Sequence, residues 1–156
     1  MTATNISTPV AGSRELVIAR VFDAPREIVF EAWTKAEHLV HWFGPNEFTL
    51  PSCTLDFRVG GSYRFCMRSP EGDDHWVWGE YREIDPPDRI VMTWNRDDSA
   101  GKIWSRTVAE FIFTEIGSKT SFTLRQGLFE TEPFCEEHGF GWGQALDRLG
   151  EYVEAL

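Results

Sequence analysis

The clearest pattern in the chain lies in its last twenty-odd residues. From His138 onward, His138, Trp142, Leu146, Leu149, Val153 and Leu156 recur at steps of three and four. That spacing places one apolar stripe along a long helix. Upstream the period changes to two. Tyr63, Phe65 and Met67 alternate with Arg64, Cys66 and Arg68, which predicts a strand over Ser62–Arg68. The same reasoning predicts strands at Thr54–Val59, His75–Ile84, Arg89–Trp94, Ile103–Phe113 and Lys119–Gln126. Gly60-Gly61, Pro70–Asp74, Asp85–Asp88, the polar loop Asn95–Gly101 and Ile116–Ser118 separate them, and Gly127–Pro133 leads into the long helix.

Ahead of this series, Glu15–Phe22 predicts one more strand, with Leu16 and Ile18 on one side and Arg20 as a candidate third member. Asp23-Ala24-Pro25 is a helix start signal, with Asp23 or Ala24 at the cap and Pro25 at the first helical position. Ile28, Val29, Ala32 and Trp33 form the buried face of that short helix. Thr34 caps a second one, Lys35–Trp42, ended by Gly44-Pro45. The expected order is strand, two short helices, six strands, long helix. Tight turns between successive strands imply an antiparallel sheet, and the long helix must bury its stripe against it. The fold class is therefore α+β, a single domain over residues 14–156. Met1–Ser13, rich in Thr, Ser, Ala and Gly, reads as a flexible tail.

Composition narrows the function. A net charge of −10 repels nucleic acid and anionic membranes, so neither is an expected partner. The opening residues lack a cationic segment followed by an apolar block, and no stretch approaches the length of a membrane span. Three cysteines, Cys53, Cys66 and Cys135, fit neither a disulfide framework nor a zinc knuckle. A reducing cytoplasm fits best. Seven Trp and twelve Phe are more rings than a flat two-layer core needs. They either line a concave, partly open interior or fill it.

Chemistry-bearing motifs are sparse. His38 and His41 stand one helical turn apart, a metal-site spacing, but no third ligand is legible, and a helix-surface pair or a packing role of the second helix is expected. Glu136-Glu137-His138 lacks metalloprotease spacing, and no nucleophile elbow or phosphate-loop lysine occurs. No metal, cofactor or catalytic set is expected on these grounds. Asp56 and Arg58, two apart on one strand face, are placed to pair with each other or with Arg64 or Arg68 of the neighbouring strand. Gly139, Gly143 and Gly150 flank the stripe of the long helix, so a strand, a guest molecule or empty volume comes close there.

Local sequence also carries a resemblance. Phe22–Pro25 with Val29–Trp33, His41–Pro45, Asp56–Tyr63, Gly79–Tyr81 with Glu83–Pro87 and Trp94, and Gly141-Trp142 with Leu146–Leu149 occur in order over nearly the whole chain from residue 14. They resemble motifs of the START-like (SRPBCC) superfamily. The subgroup is that of the C-terminal domain of the activator of the heat-shock-protein-90 ATPase. The resemblance implies a helix-grip fold: a curved antiparallel sheet of six to seven strands around the long C-terminal helix, with two short helices closing one end. Superfamily members hold lipids, sterols, polyketides or hormones in the enclosed cavity, and some catalyse reactions there, so the fold alone does not settle function.

The first expectation is a binding module for a small hydrophobic molecule. Its cavity candidates are Trp33, Trp42 and Phe43 from the short helices, and Phe57, Tyr63, Phe65 and Met67 from the first strands of the series. Trp76, Trp78, Glu80, Trp94, Glu110, Phe111 and Phe122 come from the later strands, and Trp142, Leu146 and Leu149 from the long helix. Glu80, Arg106, Glu110, Arg125 and Gln126 are the candidate inward polar groups, their facing left open by register. Two other expectations are a chaperone-interacting protein, and a cyclase or hydrolase with Glu80 or Glu110 as acid or base. A homodimer is the default assembly for a small domain.

Overall fold

The computed structural model describes residues 6–7, 14–97 and 103–156, without the side chains of residues 6, 7, 103 and 104. The tail expected over Met1–Ser13 lies outside the described residues except for β1 (Ile6–Ser7), which pairs antiparallel with β2 (Leu16–Phe22). Two short helices follow, α1 (Arg26–Glu31) and α2 (Ala36–Leu39). Then come β3 (Thr49–Leu55), β4 (Ser62–Arg68), β5 (Asp74–Asp85), β6 (Arg89–Asp97), β7 (Ile103–Ile116) and β8 (Lys119–Gly127). The chain closes with α3 (Glu132–Glu154). All pairings are antiparallel, in the order β1-β2-β8-β7-β6-β5-β4-β3. Seven strands of seven residues or more thus form one open sheet, extended at the β2 edge by the two-residue β1.

The face turned toward α3 carries the core. Leu16, Ile18 and Phe22 of β2 share it with Tyr63 and Phe65 of β4 and Val77 and Tyr81 of β5. Trp94, Phe111, Phe122 and Leu124 continue it across β6 to β8. From α3, Trp142, Leu146, Leu149 and Val153 meet this face as the helical period requires. Leu156 departs from the stripe: α3 ends at Glu154 with Ala155 at the C-cap, and Leu156 is exposed.

Several boundaries differ from the sequence expectation. Pro25 is the N-cap rather than the first helical residue, because its ψ of 148° is extended; its carbonyl still accepts from the N–H groups of Ile28 and Val29. Thr34 does not cap α2. Its hydroxyl donates back to the Glu31 carbonyl, and Lys35 takes the cap position. The strand expected over Thr54–Val59 is β3, which starts at Thr49 and stops at Leu55. It lies at the sheet edge, where Pro51 costs no ladder bond. Residues 56–61 instead form a turn, with Arg58 N–H donating to Asp56 O and Gly61 N–H to Arg58 O. Asp56 and Arg58 therefore pair within a turn, Arg58 Nε to Asp56 Oδ2 at 2.7 Å. The sequence reading ended β6 at Trp94; β6 runs on to Asp97, and the rest of the polar loop lies outside the described residues.

Candidate functional site

The space between sheet and helix divides into a filled part and an open part. Trp33, just after α1, is the hub of the filled part. Its ring lies 4.7 Å from Trp42, 4.5 Å from Phe111, 5.7 Å from Phe122 and 6.0 Å from Trp142, centroid to centroid. Trp42 Nε1 donates to the Ala32 carbonyl, which ties α2 to α1 and seats both rings in the core. The void left among Trp33, Leu39, Phe43, Phe65, Tyr81, Ile90, Met92 and Trp94 measures about 10 Å³. That is at the lower limit for one water molecule and leaves no room for an organic guest.

Toward the N-terminal half of α3 the packing stops. A cleft of about 320 Å³ opens between that half-helix, strands β4 to β6, and the loop from Phe43 to Phe48. Phe43, Phe48, Met67, Trp94, Phe140 and Trp142 make its walls largely apolar. His75, Arg96, Glu137, His138 and Gln144 add polar groups. The loop wall is tied to α3. Arg148 Nη1 donates to the carbonyls of Gly44 and Pro45, each at 2.9 Å, and Gln144 Oε1 accepts from Asn46 N–H. Gly44 sits at φ 104°, a conformation that glycine adopts freely.

Behind the cleft a buried polar relay joins helix to sheet. Trp142 Nε1 donates to Gln126 Oε1 at 2.9 Å, and Gln126 Nε2 donates to Thr107 Oγ1 at 2.8 Å. At the next helix turn Arg20, buried in β2, donates to Asp147 Oδ1 at 2.6 Å and to the Gly143 carbonyl. His138 is buried one turn before Trp142. Its Nδ1 lies 2.9 Å from the Phe134 carbonyl, and its ring packs 4.6 Å from Phe129. Burial, with a smaller push from the Arg96 charge, lowers its pKa to about 4, so the ring is neutral at pH 7.

Of the candidates named from sequence, Phe43, Met67, Trp94 and Trp142 line the cleft. Trp33, Trp42, Phe65, Phe111, Phe122, Leu146 and Leu149 belong to the packed core. Phe57 and Tyr63 cluster with Tyr81 and Phe30, outside the cleft lining. Trp76, Trp78, Glu80 and Glu110 are corrected: they lie on the opposite face of the sheet. Val77 and Tyr81 point inward, so strand parity turns their neighbours outward, and the register shift in β5 falls only after Tyr81. There Trp76 packs under Arg64, and Trp78 donates to Asp97. Glu110 accepts from Arg89 Nε at 2.6 Å, Glu80 is exposed, and neither serves as an acid or base in the cleft. Arg106 and Arg125 are likewise exposed, and Gln126 is the inward polar group among the five proposed.

The cleft residues absent from the sequence candidates are Gly44, Pro45, Phe48, His75, Arg96, Glu137, His138, Phe140, Gly141, Gln144 and Ala145. Phe140 carried a usable signal, since it is a large ring off the apolar stripe of α3 and is 72% exposed. His38 and His41 both contact Tyr152, His38 by a 2.7 Å hydrogen bond and His41 by stacking, and so dock α2 onto α3. Of the glycines flanking the stripe, Gly150 accommodates β2, since a Cβ there would meet the Phe22 ring at 3.3 Å, whereas one on Gly143 would make only ordinary contact with Arg20 Nη2 at 3.7 Å. All three cysteines are free. Among the described residues no cluster of three potential metal ligands occurs, and no helix is long and apolar enough to cross a membrane.

An open antiparallel sheet with two short helices after its first long strand, gripping a C-terminal helix, defines a START-like helix-grip domain. The chain belongs to the family of Activator of Hsp90 ATPase homolog 1-like proteins, whose model matches residues 23–154. Solved structures agree. A protein from Nitrosomonas europaea is 26% identical with a TM-score of 0.76, over 90% of this chain and 94% of its own. One from Chromobacterium violaceum is 26% identical with a TM-score of 0.80, over 90% and 97%. The AHSA1 protein from Silicibacter pomeroyi is 24% identical with a TM-score of 0.83, over 90% and 98%, a likeness of fold. No curated protein matches the sequence.

Proposed function

We infer that this protein binds a small, mostly apolar molecule in the cleft between the first half of α3 and strands β4 to β6. One observation carries the reading: beside a filled core, a space of about 320 Å³ is walled by eight apolar side chains and five polar ones. That combination is the usual make-up of a small-molecule site, and the volume is at the small end of the range. On this reading the cavity expected between sheet and C-terminal helix is a cleft open at one end of the grip. Membership of a family of ligand-binding folds supports the same reading.

The test is titration of a neutral fluorescent probe such as N-phenyl-1-naphthylamine, with Gly141→Leu as the blocking variant. A Cβ on Gly141 would meet only Pro45 Cγ at 3.6 Å, so a larger side chain is accommodated and extends into the cleft. Saturable binding near one site that weakens at least tenfold in the folded variant is expected. Absence of saturable binding, or binding indifferent to Gly141→Leu, refutes the cleft. The family description also carries a chaperone reading, tested by adding the protein to heat-shock protein 90 and measuring ATP turnover.

A further inference from the structure

Two residues of the cleft wall each carry a polar atom buried just behind it, and the two atoms have complementary roles and no partner. Trp94 Nε1 is an N–H donor that reaches no acceptor. His138 Nε2 also reaches no partner, and its state follows from the other ring nitrogen. The Phe134 carbonyl beside Nδ1 can only accept, so the proton sits on Nδ1 and Nε2 is left as a lone pair. Both residues line the cleft, and Trp142, one turn after His138 on α3, packs 5.1 Å from the Trp94 ring. Buried groups left in this condition are uncommon and costly, and they mark where a missing hydrogen-bonding atom belongs.

We propose that the cleft selects neutral molecules with a hydroxyl or N–H on a flat apolar body, His138 Nε2 accepting from that donor and Trp94 Nε1–H donating to the same group's lone pair. The inference rests on the cleft reading above. A hydroxyl is the smallest group that donates and accepts at once. The aromatic walls supply the apolar contact; Glu137 and Arg96 at the cleft offset one another, and the net charge of −10 disfavours an anion. Both atoms are shielded from solvent, so seating a hydroxyl on them requires lining side chains to yield.

The experiment compares 2-naphthol with 2-methoxynaphthalene, which has nearly the same shape but no donor. Wild-type protein is expected to bind 2-naphthol about tenfold more tightly, the worth of one buried hydrogen bond. The ratio is expected to fall toward one in His138→Phe, and to fall in part in Trp94→Phe. Independently of any variant, the Nε2 resonance of His138 in ¹⁵N-labelled wild-type protein shifts with 2-naphthol and not with the ether. Equal affinities with a stationary Nε2 resonance overturn the donor reading and leave the cleft standing. Failure of both probes to bind, or binding of both that Gly141→Leu does not weaken, overturns the cleft and the donor reading together.

Discussion

Acidification is expected to destabilise the protein through His138 in particular. The ring ionises at about 6.5 when unfolded and at about 4 in the fold, because burial penalises its charged form. Between those values the unfolded chain holds a proton that the native state lacks, so stability falls as pH falls. At pH 7 both states are nearly neutral and the effect is slight. At pH 5 the loss is about 2 kcal/mol, approaching about 3 kcal/mol near pH 4. The surroundings do not reverse this sign. Arg96 on β6 adds to the depression, while the Phe134 carbonyl and Glu130 oppose it only in part. His138→Asn places an amide N–H where the ring has Nδ1, facing the Phe134 carbonyl, and cannot take up the proton. Urea unfolding of both proteins at pH 7, 6 and 5, followed by tryptophan fluorescence, isolates the term, because the carboxylates titrate alike in each. Wild type is expected to lose about 2 kcal/mol more than the variant over that interval. Parallel pH profiles, or a His138 midpoint above pH 6 by NMR, would refute the reasoning.

Two further changes test what holds the helix and the edge turn. Gln126→Leu leaves Trp142 Nε1–H buried without its acceptor and removes the hydrogen bond to Thr107; a loss of about 2–4 kcal/mol is expected in chemical denaturation, and a loss under about 0.5 kcal/mol would show that the relay is not a structural element. Gly61→Ala places a Cβ at 2.0 Å from the Asp56 carbonyl oxygen, a clash that only movement of the 56–61 turn relieves; thermal unfolding is expected to lose several degrees, whereas Gly72→Ala, whose Cβ would meet nothing within 4 Å, is expected to show the smaller cost of its φ of 94° alone.

Legibility in the sequence followed the strength of the local period. The stripe through Trp142, Leu146, Leu149 and Val153 predicted α3 and its buried face, because a helix shows each residue one direction only. The limits of β4 came out as expected, since its core residues alternate with arginines. Facing was the weak point in β5. Trp76 and Trp78 share a face, but parity does not say which face, and large rings suggested the core. The outer rings are accounted for by polar partners that sequence does not pair: Arg64 from β4 over Trp76, and Asp97 from β6 on Trp78. The cleft was harder still. Its walls draw residues from β4, β5, β6, α3 and the 43–48 loop, separated by up to a hundred positions, and no local period encodes that meeting.

The aromatic excess and the glycines of α3 together explain why the open space lies where it does. Near its C-terminal end the helix is sealed: Gly150 lets the Phe22 ring approach, Tyr152 receives both histidines of the α2 region, and Leu146, Leu149 and Val153 are fully packed. Trp33 and Trp42, delivered by the two short helices, fill the middle of the grip. Toward the N-terminal half of α3, Phe43 lines the gap without filling it, and Gly141 offers no side chain to do so. Arg148 fixes the loop at one spacing from the helix, since its guanidinium donates to the Gly44 and Pro45 carbonyls. An Arg148→Met substitution keeps most of the apolar stem and removes the hydrogen bonds. It is expected to lower probe affinity in the cleft severalfold while lowering stability by about 1–3 kcal/mol, as for any lost charged hydrogen-bond set. If probe affinity were unchanged in a folded Arg148→Met protein, the loop would not owe its position to that arginine, and the open half of the grip would need another cause.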